Sequence, residues 1–222
     1  MDSSEIQKKL NGINWNFDFT IDYDNDTLHP FNCRKYYSYP ATFIPEIPYA
    51  LIEILSQKGD IVLDPFGGIG TTFMQALSLE RAPYSFDINP IASAVCDTLY
   101  MLFDPSVNKE LIKSQLLQLC EGYDDTKDYS SGLSVPRKEL AGWFEKNTFN
   151  ELSFLFQQFD HINNQTAQAV MKLILSSILV TLSSQNKGWA YIADNVKPKV
   201  DELRKKNVFE QYKISVKNLI ND

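Results

Sequence analysis

The chain has 222 residues, 44% hydrophobic and 22% charged, a composition that suits a folded globular protein with a sizeable core and excludes a disordered one. Its net charge of −7 argues against the chain acting alone as a nucleic-acid clamp, because phosphate binding depends on Lys and Arg displacing counterions. Three widely spaced cysteines without a C-x-x-C and only two histidines support neither a disulfide framework nor a metal site, so no metal is expected.

The amino terminus lacks a basic-then-apolar leader, and the expected location is cytoplasmic. Trp15, Phe17, Phe19 and Ile21 alternate with polar residues, the period of a half-buried strand or extended arm. Residues 22–39 read as a loop, the prolines of Tyr39–Pro48 prevent a regular start, and a helix is expected from about Tyr49 to Gln57, closing near Gly59. Ile61–Leu63 predicts a strand, Thr71–Leu79 a helix, Tyr84–Ile88 a second strand and Ile91–Leu102 another helix. This β-α-β-α run with short connections implies parallel strands joined by a right-handed crossover.

After Asp104 the pattern turns helical. Lys109–Cys120, an aromatic-rich stretch over Glu139–Phe159, the apolar Val170–Leu182 and an amphipathic tail over Lys197–Ile220 each predict helices, with a polar loop over Glu121–Val135. Val170–Leu182 is too short to span a bilayer and reads as a buried helix, so no membrane contact is expected. The fold class is α/β, an incomplete sheet over residues 1–105 followed by a mostly helical half over 106–222. A doubly wound sheet needs five or more strands, and two alone leave open edges and a bare face. Another chain is expected to complete the sheet, or the sequence is a fragment.

The stretch Leu63–Thr72, LDPFGGIGTT, breaks from an apolar run into glycines and hydroxyls where an open α/β sheet receives its ligand. Gly67, Gly68 and Gly70 permit close backbone approach, Thr71 and Thr72 stand at a helix start suited to an anion, and Asp87 follows where an acid can take ribose hydroxyls. An NAD loop fits poorly, because its third glycine position falls on Phe73 and Asp64 would repel a pyrophosphate. The same Asp64 would welcome an ammonium group. Each feature also has a plain structural alternative: the turn packs a helix on a strand, Phe43 is a core aromatic, and Asp87 caps the helix before Pro90.

Tyr39-Pro-Ala-Thr-Phe-Ile-Pro-Glu-Ile-Pro48, Gly59 to Thr72 and Phe86-Asp-Ile-Asn-Pro90 together resemble the cofactor half of the amino-directed DNA methyltransferases, which make N6-methyladenine or N4-methylcytosine. The resemblance covers about Trp15 to Ala94. It implies S-adenosylmethionine as cofactor and a Rossmann-like methyltransferase sheet. Carried over by position, Phe43 packs on the cofactor, the Asp64-Pro65-Phe66 corner carries the carboxylate that faces its amino group, and Gly67, Gly68 and Gly70 shape the turn beneath it. Thr71 and Thr72 meet its carboxylate, Asp87 its ribose, and Ile88 borders its adenine. Tyr39 stands where the family has histidine, and Thr42 where a variant has lysine. Trp143–Leu152 and the apolar helix ending at Leu182-Ser-Ser184 resemble a helical insert that some relatives place between cofactor and catalytic halves.

The family aims the base amine at the methyl group with a (Asp/Asn/Ser)-Pro-Pro-aromatic turn. This chain has ten prolines and no two adjacent; Asp104-Pro105-Ser106 reads as a helix-stop turn. No catalytic residue is therefore expected here. The expected partner is a second polypeptide carrying the Pro-Pro motif and target recognition, with DNA contacted through the assembled complex and the Val170–Leu182 helix and sheet edge near the joint. The competing readings are an inert scaffold subunit of a restriction-modification complex and an RNA methyltransferase.

Overall fold

The computed structural model describes residues 2–13, 15, 31–40, 42, 44–132, 140, 142–185 and 197–221. The expected arm over residues 16–21 and the predicted cofactor contact Phe43 lie outside the described residues. The chain divides into two units, Met1–Phe103 and Asp104–Asp222.

The first unit opens with α1, Ser3–Asn11, a polar helix that buries no residue and carries Glu5 in its first turn and Lys8 and Lys9 in its last. Those charges complement the helix dipole, and its apolar face holds only Ile6 and Leu10, too short a run for hydrophobic periodicity to reveal it. α2 spans Glu46–Leu55, with Pro45 at its N-cap and Pro48 in its first turn, where a missing amide costs nothing. Strand β1, Ile61–Asp64, pairs in parallel with β2, Ala82–Ser85, in the register Ile61↔Ala82 to Asp64↔Ser85. Between them runs α3, Thr71–Ser78, which packs on both strands and on α2. α4, Pro90–Leu102, starts as its sequence directs, with Pro90 in the first position and the Asn89 side chain accepting the Ile91 amide.

Strand β2 therefore starts two residues earlier than its apolar content predicts and stops at Ser85. Arg81 fixes its start, donating to the Ser56 hydroxyl at 2.9 Å and the Ser56 carbonyl at 2.8 Å beyond α2. The ladder closes with Phe86 donating to the Asp64 carbonyl at 3.0 Å. Asp87 accordingly lies just past the strand rather than at its last position.

Alternation along the two strands gives the sheet unequal faces. Val62, Asp64, Pro83 and Ser85 are half-buried on one side. On the other, Ile61, Leu63 and Tyr84 are 70%, 59% and 55% exposed, and Phe86 and Ile88 beyond β2 are 61% and 101% exposed.

The second unit is helical: α5 (Lys109–Gln118), α6 (Lys146–Gln157), α7 (Gln165–Leu182) and α8 (Val208–Asn221). Asn108, Glu145 and Asn164 cap the first three by accepting first-turn amides. Helices α5, α7 and α8 pack on one another, and α6 packs on α8. Ile112, Leu116, Leu155, Met171, Ile174 and Tyr212 lie in the resulting core. α7 is long and apolar enough, by length and composition, to cross a membrane. Eight of its residues, from Ala167 to Leu182, are nonetheless buried, as in the core helix of a bundle. The expected tail helix forms only from Val208; ahead of it come a 3-10 turn over Val200–Glu202 and a non-helical stretch over residues 203–207.

Candidate functional site

The turn between β1 and α3 stands at the carboxyl end of the parallel strands, the end at which open α/β sheets receive their ligands. Its hydrogen bonds define it closely. Asp64 Oδ1 accepts the Phe66 amide at 3.0 Å, Gly67 donates to the Phe86 carbonyl at 2.9 Å, and Gly70 donates back to the Gly67 carbonyl at 2.9 Å. Gly67 sits against β2 so closely that a Cβ there would fall 1.7 Å from Ser85 Oγ. Gly70 has φ +91°, and its Cβ would fall 2.5 Å from the Cys96 Sγ on α4. A side chain at Gly67 would force the Ser85 hydroxyl aside and crowd its Cβ, and one at Gly70 would add the strain of a left-handed backbone to a clash with α4.

Asp87 ties the turn to the loop after β2. Its Oδ2 accepts the Gly68 amide at 2.8 Å and its Oδ1 the Asn89 amide at 2.8 Å. The helix-cap role falls to Asn89, whose own side-chain oxygen accepts the Ile91 amide at 3.0 Å. An ionised carboxylate offers about four acceptor sites, so Asp87 keeps two for a ligand. Asp64 is half-buried beside the turn with Oδ2 outside the bond to Phe66.

The structure thus gathers Asp64, Gly67, Gly68, Gly70 and Asp87 around one bend. Pro65 is exposed, Phe66 is 87% exposed, and Ile88 is fully so. Thr72 is half-buried at the start of α3. Thr71 is only 5% exposed and lies beside the buried Cys33 thiol. Burial, joined by the neighbouring Cys96, pushes that thiol up to about 12, and burial does the same to Cys96.

Sequence reading missed three contributors. Tyr39, noted as the residue in the histidine slot, accepts a hydrogen bond from Asn89 Nδ2 at 2.9 Å, fastening the proline-rich segment to the loop that carries Asp87. Its ring edge also comes within 4.0 Å of a Cβ built on Gly68. Ser85 and Cys96 are small partners to Gly67 and Gly70, a complementarity visible only once β2 and α4 are placed.

Residues 3–95, which include both strands, the glycine turn and Asp87, match the family of N6- and N4-directed DNA methylases. The match lies within the first unit. Among proteins it resembles, the Type II methyltransferase M.BsoBI of Geobacillus stearothermophilus is 30% identical over 204 residues, 88% of this chain and 37% of that protein. M.MjaII of Methanocaldococcus jannaschii is 24% identical over 144 residues, 64% of this chain and 26% of that one. M.MvaI of Kocuria varians is 30% identical over 105 residues, 46% and 22% respectively. The chain therefore spans little more than a third of the length of M.BsoBI and about a quarter of the other two. The match to M.BsoBI is longer than the first unit, so it takes in part of the helical unit too. No solved structure matches the chain.

Proposed function

We propose that this chain supplies the S-adenosylmethionine-binding part of a cytoplasmic DNA amino-methyltransferase acting on N6 of adenine or N4 of cytosine, with the catalytic Pro-Pro turn and target recognition on a second polypeptide. The observation that carries the reading is the bend at β1, where Asp64 and Asp87 stand beside a glycine turn whose Gly67 and Gly70 lie too close to Ser85 and Cys96 to take a Cβ without displacing them. That cradle fits the cofactor. Asp64 Oδ2 would take the ammonium, the free acceptor sites of Asp87 the ribose hydroxyls, and the exposed Ile88 side chain would lie under the adenine. The buried Thr71 contributes less readily to a carboxylate than the half-buried Thr72 hydroxyl and the α3 amides do. When bound, the cofactor would supply a methyl group on a sulfonium centre; the residues here bind and orient it.

The unequal faces of the sheet support the division between two chains. Covering Ile61, Leu63, Tyr84 and Phe86, each more than half exposed, would contribute roughly 4–7 kcal/mol, taking 1.5–3 kcal/mol per fully buried side chain and about 60% of that still to be gained. The edges also differ. Because Ala82 and Phe86 donate toward β1, the amides of Pro83 and Ser85 face outward on β2, and proline has none to offer. The outer edge of β1, with the amides of Ile61 and Leu63, is the better template for another strand. In this reading the joint is a Rossmann-like sheet shared between two chains.

Methyl transfer from tritiated S-adenosylmethionine to duplex DNA, measured with and without an added polypeptide bearing a Ser-Pro-Pro-Tyr-like turn, tests the proposal. Activity requiring both chains is expected. Equal activity without this chain would favour the inert scaffold reading, which the absence of adjacent prolines keeps open, and transfer to RNA in preference to DNA would redirect the substrate.

A further inference from the structure

The charge of this chain is unevenly placed. Residues 1–103 hold 6 Lys and Arg against 13 Asp and Glu, whereas residues 104–222 hold 15 of each. Within the helical unit the cations gather late: residues 197–217 contain 7 Lys and Arg against 3 acids, Asp201, Glu202 and Glu210. A charge run is usually a solvated face. This one is anchored in a way that solvation alone does not require.

Arg204, Lys205 and Lys206 sit on the non-helical stretch before α8, and alternate amides of that stretch are bound from below. Arg204 donates to Ser184 Oγ at 2.9 Å, Lys206 to Thr148 Oγ1 at 2.9 Å, and Val208 to Glu151 Oε2 at 3.2 Å. The Thr148 hydroxyl in turn donates to the Lys206 carbonyl at 3.4 Å. Thr148 is fully buried and Glu151 is 9% exposed, so two core positions of α6 serve to hold a surface strand in place. Arg204 Nη1 donates to the Asp201 carbonyl at 2.6 Å and the Leu203 carbonyl at 3.1 Å, which orients the exposed guanidinium. Lys197, Lys199, Arg204 and Lys205 are exposed, and among the described residues none of them forms an ion pair. Fixing the backbone under three consecutive cations lowers the entropy lost when they meet a ligand.

We propose that the pinned segment Arg204-Lys205-Lys206, with Lys197 and Lys199 beside it, is a docking surface for the phosphate backbone of duplex DNA. It rests on the DNA-methyltransferase reading and extends it by assigning part of the DNA grip to the helical unit of this chain. Phosphate contacts of this kind position a duplex without reading its sequence, which suits a unit separate from target recognition.

The test is fluorescence anisotropy of a labelled 24-bp duplex against the full chain from 25 to 150 mM KCl. The comparison sets the variant R204Q/K205Q/K206Q beside K8Q/K9Q/K58Q, which removes equal charge from the first unit, with thermal melts confirming that both fold. At 0.9 in the slope of log K against log salt per phosphate, the first variant should lose about 2–3 in slope and bind about 10-fold more weakly at 50 mM KCl, while the control stays within about twofold. Equal weakening by the two variants, an unchanged slope, absence of wild-type binding at 25 mM KCl, or tighter binding to an RNA hairpin than to the duplex would each overturn the proposal. Calorimetry with S-adenosylhomocysteine on the same preparations separates the failures: cofactor binding that persists while the segment proves inert defeats only this inference, and absent cofactor binding defeats the reading beneath it.

Discussion

Replacing Gly70 by alanine should disable the turn while leaving its hydrogen-bonding residues in place. Gly70 holds φ +91°, and an alanine Cβ would lie 2.5 Å from Cys96 Sγ and 3.1 Å from Cys96 Cβ. The left-handed conformation costs about 1–2 kcal/mol for a residue with a Cβ. Overpacking against a helix already buried through Val95, Cys96 and Leu99 adds about 1–3 kcal/mol, because Cys96 belongs to a close-packed core and cannot swing clear. A total near 3 kcal/mol would be a large share of the ~5–15 kcal/mol that holds a domain together. Urea titration of wild type, Gly70→Ala, Cys96→Ala and the double variant measures it. Removing Sγ relieves the closest clash but leaves the backbone strain and the contact to Cβ. The double variant should therefore be about 1–2 kcal/mol more stable than the sum of the two single effects predicts. A Gly70→Ala chain within 1 kcal/mol of wild type, or strictly additive variants, would refute the packing argument.

Leu63→Ser with Tyr84→Ser, on the open sheet face, should change the stability of this chain by no more than about 0.5 kcal/mol and raise its solubility, measured by urea titration and light scattering; a loss of several kcal/mol would mean that the face is already covered. Burial lifts the Cys33 and Cys96 thiols to about 12 and Cys120 to about 11, so the folded chain should react negligibly with Ellman's reagent at pH 8 over minutes, and all three thiols should react at once in urea. Rapid reaction of the native chain would contradict those placements. Burial raises the Glu151 carboxyl above its ordinary 4.5, against partial opposition from the Val208 amide and Lys205. The folded state then holds this proton more tightly than the unfolded one, so the stability it contributes is present at low pH and lost as pH rises through the folded value. Glu151→Gln, which keeps an acceptor for Val208, should gain most over wild type near pH 7 and lose that advantage toward pH 4.5; a difference that widens on acidification would show the opposite shift.

What the sequence disclosed followed local chemistry. The glycine turn, the helix beginning near Pro90 and the parallel pairing rest on neighbouring stretches of chain, and each was legible from residue type and spacing, although the cap proved to be Asn89 rather than Asp87. Misreadings arose where a distant residue decides. Phe86 and Ile88 look like strand, yet pairing ends at Ser85, because β1 has no residue left beyond Asp64 before the glycine turn leaves the ladder. The tail from Lys197 has helical periodicity, but Ser184, Thr148 and Glu151 capture the amides of residues 204, 206 and 208, and the helix waits until Val208. Asp87 reads equally well as a cap or a ligand group; only its bond to Gly68, 19 positions back, shows that it organises the turn.

The central claim is that the bend at β1 holds the methionine and ribose ends of S-adenosylmethionine between Asp64 and Asp87. Titration calorimetry of S-adenosylhomocysteine into the full chain tests it most directly. The account predicts one site per chain, weakened about 10-fold or more by either Asp64→Ala or Asp87→Ala, as expected for losing a charge-assisted bond worth about 1.5–3 kcal/mol. Absence of heat from the wild-type chain, or two variants that bind as it does, would contradict the claim.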